Sequence, residues 1–359
     1  LHFADQKKDN KTAITALHHL CAAAWEQGNL DQSELLANLG LKRSKKPDLP
    51  RAQILLSIGA IDAVRGRIYE AEEHMKEAIQ IFTQLRYKKK LTIVLANLSE
   101  VQFWQGKWAS AISNIQQSIN LSQDIFSRIT LSQGLITKSI IFFHIGMVSE
   151  SQKFIDQGME FSRELGIQSN INTAYYIQSL FYLHHRKYSS LQTTSIQGIT
   201  GCLKSDPESY LCVFQVFYLI SKILTQTDID TSLLPTDIDF APSAILQRLQ
   251  DKINDSSTIP SRRLDLQLFL GMYFFYTEDY QKSFDLLQEC YKESKREGMW
   301  LWALKSSHTC QNFSSRLPAN IDIQPNIDYT KQHSEILAQL SESLVPELQI
   351  RMNRHYSIS

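Results

Sequence analysis

The chain has 359 residues, 43% of them apolar and 21% charged, with 37 basic side chains against 37 acidic ones. That balance argues against a chain built mainly to bind nucleic-acid phosphate or an anionic membrane. The longest apolar run, Leu135 to Val148, is broken by Lys138 and His144 and falls short of the roughly 20 residues that a membrane-spanning helix needs. The chain opens on Leu1 with no charged and then apolar leader, so no signal peptide is read and the sequence is taken as part of a longer one. Cys21, Cys202, Cys212, Cys290 and Cys310 are odd in number and far apart, which points to reduced, buried thiols and a cytoplasmic setting.

In chain order, helical periodicity first predicts a pair over Ala13–Gln27 and Asp31–Leu39, with Gly40 as its stop. The basic stretch from Lys42 to Pro47, with Pro50, reads as a solvated connector, and Lys88-Lys89-Lys90 as another. From Leu55 to Leu191 four segments align at a constant step of 40 residues, marked by Gly66, Gly106, Gly146 and Arg186. A large residue stands two places after each marker (Ile68, Trp108, Val148, Tyr188), and a small or apolar one five places after (Ala71, Ala111, Ser151, Leu191). Self-similarity at such a period is the signature of a solenoid, whose units bury their apolar faces only by stacking. After Gly201 the register weakens. Pro207 opens a helix to Thr225, and Asp228 to Pro242 reads as a long loop whose spaced acids lack the glycine and closing glutamate of a calcium loop. Helices are then expected over Ser243–Ile253, Leu264–Tyr276, Tyr280–Arg296, Trp300–Cys310 and Thr330–Leu344, with an irregular connector from Leu317 to Pro325. No segment alternates with period two, so the fold class is all-α. The expected organisation is an N-terminal helical pair and connector (1–50), a regular array (51–200) and degenerate helical repeats (201–359).

The unit resembles the tetratricopeptide repeat, on Leu55, Ile58, Gly59, Gly66, Ile68, Ala71, Met75 and Ala78 in the best copy and Leu95, Leu98, Ser99, Gly106, Trp108, Ala111, Ile115 and Ser118 in the next. The skeleton recurs as Leu17, Cys21, Gly28, Leu30, Ser33 and Ala37 near the start, and as Leu270, Gly271, Tyr280, Ser283, Leu287 and Cys290 near the end. The 40-residue step exceeds the ordinary 34 by about six, placed in longer helices or looser connections. This variant looks like the C-terminal sensor and scaffold regions of STAND-class signalling ATPases and related large transcription activators. His18 to Leu41 is similar to the first unit in such proteins, and Leu344 to Arg351 to their closing helix. The resemblance implies a right-handed superhelical solenoid of about seven helix pairs, acting without catalysis as the binding or sensor part of a larger regulator. A free-standing adaptor that scaffolds a protein complex is the alternative.

Chemical motifs are missing: no glycine-rich phosphate loop, nucleophile elbow, paired-cysteine zinc spacing or HExxH helix occurs. No catalytic residue, cofactor or metal ligand is assigned. His18-His19 and His184-His185 are adjacent, so on a helix they point about 100° apart and make poor joint ligands. Asp62, Glu70, Glu72 and Glu73 read as solvated faces, and an enzyme centred on Asp228 to Pro242 is the least favoured reading. By the same resemblance the inner groove falls on the first helix of each unit. Its partner-binding candidates are Phe103, Trp104, Ile136, Ile140, Phe143, Tyr176, Leu180 and Leu183, an apolar and aromatic strip. Glu100 is the one charged residue among the groove positions, which disfavours a carboxylate clamp; the strip reads either as internal packing of a tightly wound superhelix or as a groove for an apolar peptide or partner helix. The expected partner is a protein, a peptide or a small-molecule effector, with no direct nucleic-acid or membrane contact.

Overall fold

The computed structural model describes residues 9–357 except 206, 227–234, 236–238, 256, 319–320 and 322–327. Most of the expected 228–242 loop and of the 317–325 connector therefore lies outside the described residues. Seventeen α-helices and no strand occur among the described residues. They are α1 (Asn10–Glu26), α2 (Leu30–Arg43), α3 (Leu49–Val64), α4 (Ile68–Gln84), α5 (Lys88–Trp104), α6 (Trp108–Asp124), α7 (Arg128–His144), α8 (Val148–Glu164) and α9 (Gln168–His184). There follow α10 (Tyr188–Ser205), α11 (Pro207–Thr225), α12 (Pro242–Asn254), α13 (Pro260–Tyr276), α14 (Tyr280–Arg296), α15 (Trp300–Ser314), α16 (Tyr329–Ser341) and α17 (Pro346–His355). The fold is an all-α helical-repeat solenoid.

The 40-residue step has a simple construction. From α4 to α9 every helix is 17 residues long and begins 20 residues after the last, so the residues beyond the ordinary repeat lengthen the helices and leave three-residue turns. The turns close in a fixed way. Gly66 takes φ 80°, and Arg67 N–H donates to Asp62 C=O at 2.8 Å, satisfying a carbonyl that the helix end leaves open. Gly106 and Gly146 repeat the conformation at φ 76° and 81°, and Arg186 holds it at 56°. The residues five places on, Ala71, Ala111, Ser151 and Leu191, are all buried where paired helices cross. Gly59 sits at such a crossing, since an added Cβ would lie 2.9 Å from Met75 Cγ.

Two local expectations are corrected. Gly40 does not stop α2, which runs on to Arg43; it is buried, and a Cβ there would fall 2.5 Å from Ile54 Cδ1, so the glycine serves a close helix crossing. Lys88, Lys89 and Lys90 are not a connector but the first turn of α5, set against the helix dipole. Lys88 is offset by Asp124 at 3.5 Å, and burial lowers the Lys90 ammonium below its usual range.

The chain divides into two compact units: the described residues up to Phe103 with Ser110–Gly134, and Trp104–Ala109 with the residues from Leu135 onward. Inside the first unit, polar side chains tie α2, α3 and α4. Asp62, 3% exposed, accepts from Arg67 at 2.7 Å and from His74 Nδ1 at 2.8 Å, while Glu34 accepts from Arg67 and Arg65. Glu72 is also buried, beside Gln102 and Lys76. Neither carboxylate is a solvated face as its sequence neighbourhood suggests: each is compensated by partners from another turn or helix, as buried charge requires.

Candidate functional site

One hollow of the second unit is a half-open cavity of about 500 Å³. Its apolar wall comes from Phe143 of α7, Leu180 and Leu183 of α9, and Leu268, Phe269 and Met272 of α13. The opposite wall is one face of α15, where Lys305, His308, Thr309, Asn312 and Arg316 follow at helical spacing, the last just beyond the helix end. Arg186 and Tyr188, at the α9–α10 turn, and His355 and Tyr356, at the end of α17, complete it.

The ring packing is dense where α17 meets α7 and α9. His184 and His355 stack at 4.7 Å, Phe143 stands edge-on to both, and His144 Nδ1 lies 3.0 Å from the Tyr356 hydroxyl. Gly146 admits the α17 backbone, since a Cβ would meet Arg351 C=O at 2.5 Å. Desolvation lowers these imidazoles: His355, half-buried, falls to about 3 and His308, half-buried, to about 4, buried His144 lies well below its usual range, and His184, more exposed, is lowered too. The permanent charges in the wall are Arg186, Lys305 and Arg316, and no Asp or Glu lines it among the described residues.

Behind the wall lies a buried polar centre on Asp265, which is 1% exposed. Its carboxylate accepts from Trp302 Nε1 at 2.8 Å and from the Tyr176 hydroxyl at 3.2 Å, with Lys305 Nζ at 3.5 Å and the Arg262 guanidinium at 3.6 Å. Arg262 also lies over the Tyr210 ring at 3.7 Å, and Tyr210 stacks on Tyr176. Two cations and two neutral donors therefore satisfy one carboxylate, and α9, α13 and α15 are fixed to one another through it.

The residues expected in the apolar strip are dispersed. Phe143, Leu180 and Leu183 come together in the cavity wall. Tyr176 points to Asp265, Trp104 packs edge-on to Trp302, Ile136 is buried in the core, Ile140 is half-buried, and Phe103 is a core residue of the first unit. Sequence reasoning did not reach Lys305, His308, Asn312 and Arg316. Their signal is a cationic and hydrogen-bonding stripe at positions 305, 308, 309, 312 and 316, on a helix where Ser306, Ser307, Gln311 and Ser314 blur it and in a repeat too degenerate to align with the earlier ones. The histidines make no metal site: no group of three or more metal-ligating side chains occurs among the described residues. The first unit has a hollow of similar volume, about 500 Å³, but its lining from Leu41 and Ser44 to His74 and Glu77 is mostly polar; the unit also exposes Leu85, Tyr87, Ile129 and, at 93%, Phe126 at or beside its turns. No helix among the described residues is long and apolar enough to cross a membrane.

No family model matches the chain, and no curated protein is similar to it in sequence. Solved structures are similar in fold. The apo form of RapI aligns with a TM-score of 0.55 at 11% identity, over 79% of this chain and 98% of RapI. A Rap protein complexed with Competence and Sporulation Factor aligns with 0.63 at 11%, over 78% and 74%. Aspartyl phosphate phosphatase F from Bacillus subtilis aligns with 0.56 at 13%, over 82% and 75%. At these identities the likeness is one of fold, that of a tetratricopeptide-like helical array.

Proposed function

We propose that the chain is a non-catalytic binding protein whose second unit takes a short peptide into the cavity between α7, α9, α13 and α15. The observation that carries this reading is the cavity itself. Its volume of about 500 Å³ is that of a ligand pocket, and it combines an apolar wall with a few convergent polar groups. Phe143, Leu180 and Leu183, from the expected groove strip, supply the apolar contact. The similar Rap protein complexed with Competence and Sporulation Factor supports the reading by analogy of fold. The hydroxyl held against an imidazole in the wall, Tyr356 on His144 Nδ1 at 3.0 Å, is 5% exposed and burial raises its pKa, which keeps it protonated and a poor nucleophile; His308 Nε2 takes the Asn312 amide.

The reading has a direct test. Leu183, half-buried in the wall, becomes Leu183→Glu, which brings a charge into the cavity without removing a core residue. Immobilised chain is offered a random pentapeptide pool, and retained members are counted by mass spectrometry. Retention by the wild type and its loss in the variant, at an unchanged melting temperature, is the expected result; equal retention by both overturns the reading. The finer proposal, that this array is the sensor part of a larger STAND-like regulator, is supported by the 40-residue step. It fails if the gene encodes no nucleotide-binding domain ahead of the array.

A further inference from the structure

Resting on the peptide-binding reading, we propose that the cavity selects a carboxylate-bearing ligand, with Arg186 and Arg316 as the partners of the carboxylate. Three observations lead there.

The first is charge balance. The described lining holds three permanent cations and no carboxylate. Lys305 is already matched by the buried Asp265 at 3.5 Å. Arg186 and Arg316 have no ion pair among the described residues; both are exposed at the cavity rim, and Arg186 also borders the neighbouring hollow that holds Glu347. A cationic ligand is repelled there and an anionic one is drawn in.

Convergence is the second. Arg316 lies 5.4 Å from the Phe275 ring, 5.8 Å from Phe313 and 6.0 Å from Tyr276, so its flat guanidinium is held among three rings. Arg186 lines the same cavity as Tyr276 and Arg316. Two planar fork donors on the lining of one cavity suit a carboxylate better than a diffuse charge.

The third is the backbone. At the corresponding turns Gly66, Gly106 and Gly146 take up the left-handed conformation without strain, whereas Arg186 takes it at φ 56° with a full side chain. Arg86, Phe126, Gln226 and Glu278 take it too, but of these five only Arg186 lines the cavity, where the turn sets its guanidinium on the rim.

The experiment uses the whole chain and two matched random pentapeptide pools, one with free C-terminal carboxylates and one amidated. Wild type, Arg186→Gly and Arg316→Gln are compared by affinity selection, with thermal unfolding as the fold control. Arg186→Gly relaxes the turn, so its melting temperature is expected at or above that of the wild type. The free-carboxylate pool should be retained about tenfold better than the amidated pool, and each variant should lose about tenfold of that retention. Amidated members retained only when they contain Asp or Glu, and lost in the variants, also support the proposal and assign the carboxylate to a side chain. Retention of both pools alike, unaffected by either variant, overturns it while leaving peptide binding intact. Retention of neither pool by the wild type overturns both readings.

Discussion

Phe126 occupies a position whose backbone suits glycine. It sits at φ 53° in the α6–α7 turn, 93% exposed, while the equivalent α8–α9 turn has Gly166 at φ 67°. A side chain in the left-handed region costs roughly 1 kcal/mol, and an exposed one recovers little by packing. Phe126→Gly is therefore expected to stabilise the chain by about 0.5–1 kcal/mol, less whatever flexibility glycine adds to the unfolded chain. Urea unfolding checks it, and an unchanged or lower midpoint would refute the assignment of strain. At this scale the sequence was legible where chemistry is local. Gly66, Gly106 and Gly146 announced turns because a 40-residue period repeated them. Gly40 misled because a helix-stopping glycine and one admitting Ile54 from a neighbouring helix look alike in one dimension. Asp62 and Glu72 looked solvated because their partners come from other helices or from beyond the next turn.

Among elements, the decisive tie in the second unit is polar. α9, α13 and α15 each send a donor or acceptor to the Asp265 centre, which has no access to solvent that could replace a lost partner. Removing the carboxylate strands Arg262 and Lys305 together with two neutral donors. Asp265→Ala is expected to cost about 3–5 kcal/mol, the usual penalty for breaking a buried ion pair from one side. A loss below 1 kcal/mol by chemical denaturation would show that the centre is not structural. Periodicity conveyed the helices well here: Tyr280–Arg296 was read at its observed bounds, and α13 gained one turn at its Pro260 start. The cavity was less legible. Leu180 and Leu183 followed from groove positions in regular repeats, whereas Lys305 and Arg316 lie beyond the stretch in which register could be carried forward.

For the molecule as a whole, acidic and basic side chains are equal in number, yet the described lining of this one cavity holds Arg186, Lys305 and Arg316 and no acid. Buried histidines add a pH dependence. Burial depresses His355 to about 3 and His308 and His18 to about 4, and His144, His184 and His333 lie below their usual range too. The unfolded chain takes up protons below about pH 6.5 that the folded chain refuses. The stability these groups contribute is thus fully present above pH 6.5 and is lost as pH falls toward 4. The urea midpoint should drop between pH 7.5 and 5.0, and His355→Phe should flatten that slope; a midpoint that is level across this range would contradict the burial of these rings.

The central claim, that binding belongs to the second unit's cavity, is tested most directly by photo-cross-linking. A pentapeptide pool carrying benzoylphenylalanine is irradiated with the whole chain, and the labelled segments are located by mass spectrometry. Labels confined to the segments holding Leu180 to Tyr188 and Lys305 to Arg316 are the result this account predicts. Labels concentrated on the exposed turns around Leu85, Tyr87 and Phe126, with the cavity segments unmodified, would contradict it.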